Sequence, residues 1–122
     1  MQGLATRITA AFPAVHVWVA DSVDPAAQDL VVNATPLGLR TGEPLAFNPS
    51  RLQRGAAVVD ILMKNQPTPL LQACAEQGAR VYPGFEMMIQ QASDYLNFFG
   101  LHELAQTIAA DASEVHQLMA QQ

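Results

Sequence analysis

The two apolar runs DLVVN (29–33) and GAAVVDIL (55–62) constrain this chain more than any other feature. Both are continuously apolar and β-branched instead of alternating, the pattern of strands covered on both faces. Such strands belong to parallel sheets, whose long crossovers lay helices over the sheet. The first run leaves the sheet through VVNATPLGL (31–39), two valines followed by a short polar turn with Pro36 and Gly38. Either the chain simply has to turn there, or something is held against that turn. Gly42, Pro44 and Pro49 extend the loop toward the second run.

The remaining segments supply helices and shorter strands. Leu4, Ile8, Ala11 and Phe12 fall at helical spacing, and Pro13 stops that helix. VHVWV (15–19), β-branched and aromatic between Pro13 and Asp21, reads as a strand. Thr68 stands where an N-cap belongs, Pro69 takes the first helical position of PLLQACAEQG, and Gly78 sits at its C′ end. ARVY (79–82) makes another strand, stopped by Pro83 and Gly84. Phe85, Met88, Ile89, Ala92, Tyr95, Leu96 and Phe99 form an apolar helical stripe that Gly100 breaks. Leu101, Leu104, Ala105, Ile108, Ala112, Val115 and Met119 repeat it over a C-terminal helix, 101–120. The expectation is one α/β domain, residues 1–122, with about four parallel strands and C-terminal helices.

Composition narrows the function classes. Six basic residues and a formal charge of -5 argue against a nucleic-acid surface, which needs clustered Lys and Arg. Cys74 is the only cysteine, so no intramolecular disulfide forms, which fits a reducing compartment; its position suits a small apolar residue on a helix. No apolar run approaches the roughly 20 residues of a membrane helix. The first twenty residues lack a secretory pattern, and the expected location is cytoplasmic.

In open parallel sheets ligands collect beyond the carboxyl ends of the strands. NATPLGL, DILMKN and PGFEMMIQQ all fall at that edge. Each candidate there also has a purely structural reading. Asn33 can cap a turn through its own side chain, Asp60 can bond loop amides, Lys64 can be a solvated charge, and Gln91 can be an exposed flank of an apolar helix. His16, His102 and His116 are scattered and make no metal-ligand spacing. Ser22, Ser50, Ser93 and Ser113 lack the glycines of a nucleophile elbow. No G-x-G-x-x-G phosphate loop occurs. Nothing in this inventory assembles a catalytic group or a metal site.

DLVVNATPLGL, then VVDILM, then TPLLQACAEQGARVYPGFEMMIQQA, in that order, resemble the shikimate/quinate dehydrogenase family, from about Asp29 to Gly100. LATRITAAFPAVHVWV resembles the helix and strand preceding this region in the family. The resemblance implies that Asn33, Ala34 and Thr35 line an NADP site, NAD being possible too, together with Ile61 and Gly84. It implies that Gln91 bonds the hydroxyls of a shikimate- or quinate-type substrate, a role that suits an amide because it donates and accepts. Met63 stands where the family has a tyrosine facing the substrate, so a phenolic hydroxyl is lost. Met63 and Lys64, with the later Phe98-Phe99-Gly100, are closer to the shikimate-dehydrogenase-like branch.

The departures are equally informative. The family's catalytic Lys–Asp pair and glycine-rich loop have no counterpart here, so no catalytic residue is assigned. The implied fold is a partial Rossmann-like sheet lacking the first two Rossmann strands, the C-terminal portion of an NADP-binding domain. In such a sheet two further strands separate the third from the fourth. If VHVWV and DLVVN are those strands, DLVVN either pairs directly with VHVWV or recruits a neighbour: the missing N-terminal part, or another chain covering the exposed edge. The implied function is an NADP-dependent oxidoreductase segment of aromatic amino-acid biosynthesis, a fragment inactive alone. The alternative is a non-catalytic binding or assembly module that retains the fold.

Overall fold

The structure, a computed structural model, describes residues 2–22, 24–40, 42–63 and 66–119. In chain order the elements are α1 (Gln2–Ala11), β1 (Leu30–Asn33), β2 (Ala57–Asp60), α2 (Pro69–Glu76), β3 (Arg80–Pro83), α3 (Gly84–Phe98), α4 (His102–Ala110) and α5 (Ser113–Met119). Single 3-10 turns at Pro25–Ala27 and Pro49–Arg51 are each opened by a side-chain cap, from Asp24 and Asn48. The strands form one parallel sheet in the order β1-β2-β3.

Local signals account for the α2 unit. The Thr68 hydroxyl accepts the Leu71 amide at 3.3 Å, Pro69 holds the first helical position, and Gly78 ends the segment at φ 81°. Only glycine adopts that left-handed backbone without cost. Leu70, Leu71 and Cys74 face the sheet and, with Val58, form the fully buried core. Leu45, Phe47, Leu52 and Val81 pack around it.

Register explains which sheet face that core covers. Val31, Val58 and Val81 lie side by side across the three strands, and Val58 faces α2. Their neighbours in the next row, Val32, Val59 and Tyr82, must therefore point the other way. Val32 is 50% exposed and Tyr82 42%, and Leu30 on the same face is 56% exposed. The sheet is thus covered on one face only, not on both as the apolar runs imply, because the described residues place no helix over the second face.

Two further expectations change. The sheet has three strands, not about four: 15–19 has no strand partner, and Trp18 within it is 74% exposed. β propensity favours an extended backbone, but a strand needs a neighbour to take its hydrogen bonds. β1 consequently does not pair with 15–19 and is an edge strand. Its Asp29 and Asn33 carbonyls accept the Ala57 and Ile61 amides at 2.8 and 3.1 Å. By the alternation of a parallel ladder, Leu30 and Val32 direct their backbone groups to the open edge.

The apolar stripe of 101–119 is carried by two helices, not one. Asp111 closes the first, and its carboxylate accepts the Ser113 amide at 2.8 Å, a local bond that starts a new turn. α1 matches its expected span, yet none of its residues is buried.

Candidate functional site

The carboxyl ends of β1 and β2 are joined by buried polar side chains. Asn33 Nδ2 donates to Asp60 Oδ1 at 3.1 Å, and Thr68 Oγ1 donates to Asp60 Oδ2 at 2.7 Å. The Leu62 amide also reaches Asp60 Oδ1, at 3.3 Å. Asn33 Oδ1 accepts both the amide and the hydroxyl of Thr35, at 3.1 and 2.7 Å. The Thr35 hydroxyl in turn accepts the Leu37 amide at 3.2 Å. Asn33 is 3% exposed, and Asp60 and Thr68 are fully buried. A buried carboxylate requires such donors, and here three supply them.

The side chain of Asn33 is therefore spent on shaping the NATPLG turn, while Ala34 and Thr35 stand exposed on it. Farther along the loop, Glu43 Oε2 accepts the amides of Gly38 and Arg40 at 3.0 and 3.1 Å. The Arg40 amide, before that of Gly38, holds the Glu43 carboxyl below its usual range. Gly38 takes φ 97°, so the loop closes through a left-handed residue.

β3 runs into α3 with no loop, Pro83 ending the strand and capping the helix. Gly84 is flush against the exit of β2: a Cβ there would lie 2.6 Å from the Ile61 carbonyl oxygen and 2.8 Å from that of Leu62. The glycine sets how closely α3 approaches β2. Ile61, which bonds Asn33 and touches Gly84, links the turn to the helix; Ile61 and Met63 are half-buried. Asn33, Thr35, Ile61 and Gly84 are thus brought together at one sheet edge.

Gln91 lies seven residues beyond Gly84, about 10 Å along the helix at 1.5 Å per residue. It is exposed and bonds the Tyr95 hydroxyl. Lys64 lies outside the described residues. The partners that sequence reasoning did not connect to the site are Thr68, assigned only as a cap, and Glu43. Their signal is weak because both reach their targets through folded geometry.

A cleft of about 620 Å³ borders the turn on the open side of β1, lined by Val31, Val32, Asn33, Thr35, Phe47 and Arg51 among others. Arg51 is engaged there by Asp24, whose carboxyl is held below its usual range first by the Arg51 hydrogen bond. Cys74 is no nucleophile in this setting: burial, then the nearby Asp60 charge, pushes its thiol up to about 11.

No protein-family model matches the chain. It is 34% identical over 114 residues to the shikimate dehydrogenase (NADP(+)) of Acidiphilium cryptum, covering 88% of this chain and 41% of that protein. It is 41% identical over 102 residues to the shikimate dehydrogenase (NADP(+)) of Sinorhizobium fredii, covering 82% and 35%. The solved quinate dehydrogenase from Corynebacterium glutamicum in complex with NAD superposes with a TM-score of 0.68 at 33% identity, over 89% of this chain and 42% of the other. The chain thus spans about two-fifths of the length of these proteins.

Proposed function

We propose, from the premise that this chain belongs to the shikimate/quinate dehydrogenase family, that it forms the nicotinamide-side wall of an NADP-dependent shikimate-dehydrogenase-like oxidoreductase, with NAD as the other cofactor of this class. The observation that carries the reading is the meeting of the Asn33 turn, Ile61 and Gly84 at the carboxyl edge of a parallel sheet. That edge is where doubly wound folds bind dinucleotides.

The residues present fit one part of such a cofactor. The exposed Ala34 and Thr35 on the turn beyond β1 suit a flat ring and its ribose. They do not suit a diphosphate, because Arg51, the cation among the described cleft-lining residues, is already held by Asp24. When bound, the nicotinamide would accept or return a hydride at the substrate carbon that bears the hydroxyl. Asn33 keeps the turn rigid, Gly84 lets α3 close on β2, and Gln91 with Met63 meets a substrate of the shikimate or quinate type. General acid–base transfer to the hydroxyl needs a positioned proton carrier; among the described residues gathered here the titratable group is Asp60, whose carboxylate is taken up by Asn33, Thr68 and the Leu62 amide.

The uncovered sheet face and the open edge of β1 are proposed to receive further polypeptide, corresponding to the part of the family enzymes that this chain does not span. The purified 122-residue chain, given shikimate or quinate with NADP(+), is expected to form no NADPH. Detectable turnover would overturn the proposed division of labour. The same open face favours a second reading, a non-catalytic assembly module that has kept the fold. Sequencing upstream of Met1 separates them: a glycine-rich loop and a Lys/Asp-bearing domain support the first, an unrelated gene the second.

A further inference from the structure

On α3, Gln91 and Tyr95 are one turn apart on the same helix face, with the Tyr95 hydroxyl 2.8 Å from Gln91 Oε1. Accepting from the phenol uses one of the two lone pairs of Gln91 Oε1 and turns that oxygen toward Tyr95. A primary amide so held turns its NH2 group outward, with two donors to offer. Tyr95 is 55% exposed, with one side on apolar neighbours. It lines an apolar groove of about 350 Å³ with Met88, Ile89, Leu96, Leu104 and Val115, formed between α3, α4 and α5. Tyr95 thus borders the groove, and its hydroxyl reaches back along the helix to Gln91.

We propose that Tyr95 is a positioning residue for Gln91: its hydroxyl fixes the amide so that Gln91 presents N–H donors, and the ligand atom it meets is a hydrogen-bond acceptor. This rests on the reading of Gln91 as a substrate contact and sharpens it. The substrate hydroxyl meets Gln91 through an oxygen lone pair, and its proton is directed elsewhere. A glutamine free to rotate would accept that proton as readily as donate to the oxygen.

The test uses the isotope-labelled 122-residue chain and side-chain NMR. In the ligand-free protein Tyr95→Phe is expected to bring the Gln91 Nε2 resonances to those of a freely rotating glutamine, with the backbone spectrum unchanged beyond α3. Gln91→Glu separates the two senses of the bond, because a carboxylate only accepts. If Tyr95 donates, the pairing survives. Gln91 resonances indifferent to Tyr95→Phe would overturn the proposal, as would loss of the pairing in Gln91→Glu.

Shikimate at millimolar concentration then probes the premise. It is expected to shift the Gln91 Nε2 resonances in the wild type and to bind about fivefold more weakly to Tyr95→Phe, the loss of about one neutral hydrogen bond. Absence of any shift in the wild type would overturn the substrate reading on which the proposal rests. The ligand-free arm reports on the Tyr95–Gln91 bond independently of that outcome.

Discussion

Asn33 shows how one residue can look like a ligand contact and be a structural fastener. Its amide is consumed by Asp60 on one side and its oxygen by Thr35 on the other. What it offers a ligand is the shape of the turn. Asp60 is the hub, because its carboxylate takes Asn33, Thr68 and the Leu62 amide at once. Removing a buried hub leaves the other donors without an acceptor, which costs more than the net value of the bonds themselves. Asp60→Ala is expected to destabilise the fold by about 3 kcal/mol. Asp60→Asn should cost less, since one acceptor oxygen remains. Urea unfolding measures both; an unchanged midpoint for Asp60→Ala would contradict the hub role. The sequence shows Asn33 and Asp60 as polar residues at strand ends and shows Thr68 as a cap. Their mutual bonds span 27 and 8 residues of chain, beyond what local pattern encodes.

At the scale of elements, α5 is held to the first turn of α3 by a titratable contact. His116 Nδ1 lies 2.9 Å from the Ala112 carbonyl, and Nε2 lies 3.0 Å from the Glu86 carboxylate. Both partners are acceptors, so both ring nitrogens must donate, which only the protonated imidazole does. The Ala112 carbonyl first, then Glu86, accordingly raise the His116 pKa above 6.5. A raised folded-state value means the docking contribution is complete below pH 6.5 and is lost as pH rises through the folded value. Backbone chemical shifts of Ser113–Met119 should move toward coil values on raising the pH from about 6 to 8. His116→Gln should remove that pH dependence; helical shifts that ignore pH in the wild type would refute the latch. The split between α4 and α5 was not legible in the apolar stripe. Spacing records which side chains share a face, whereas Asp111 interrupts the backbone by bonding the Ser113 amide.

For the whole molecule the decisive feature is the sheet's uncovered side. Leu30, Val32 and Tyr82 lie open on one face, beside an edge strand whose alternate backbone groups lack strand partners among the described residues. Exposed apolar area and an unpaired edge both favour association. The weight-average mass of the isolated chain in sedimentation is expected to rise with concentration. Val32→Lys, placing a charge on that face, should shift the protein toward monomer with its circular dichroism retained. A wild type that is strictly monomeric and unfolds cooperatively would refute the expectation. The sequence by itself determined what depends on near neighbours: the capped α2, the positions of three β-branched strands, their parallel arrangement, and the carboxyl-edge location of the Asn33 turn and Gly84. Caps, propensities and glycine backbone preferences act within a few residues, so pattern carries them. Tertiary structure decided that 15–19 has no strand partner, that only one face of the sheet is covered, and that Asn33 is bound to Asp60. Those outcomes depend on partners distant in the chain, because a hydrogen-bond ladder and a packed face each need a second surface.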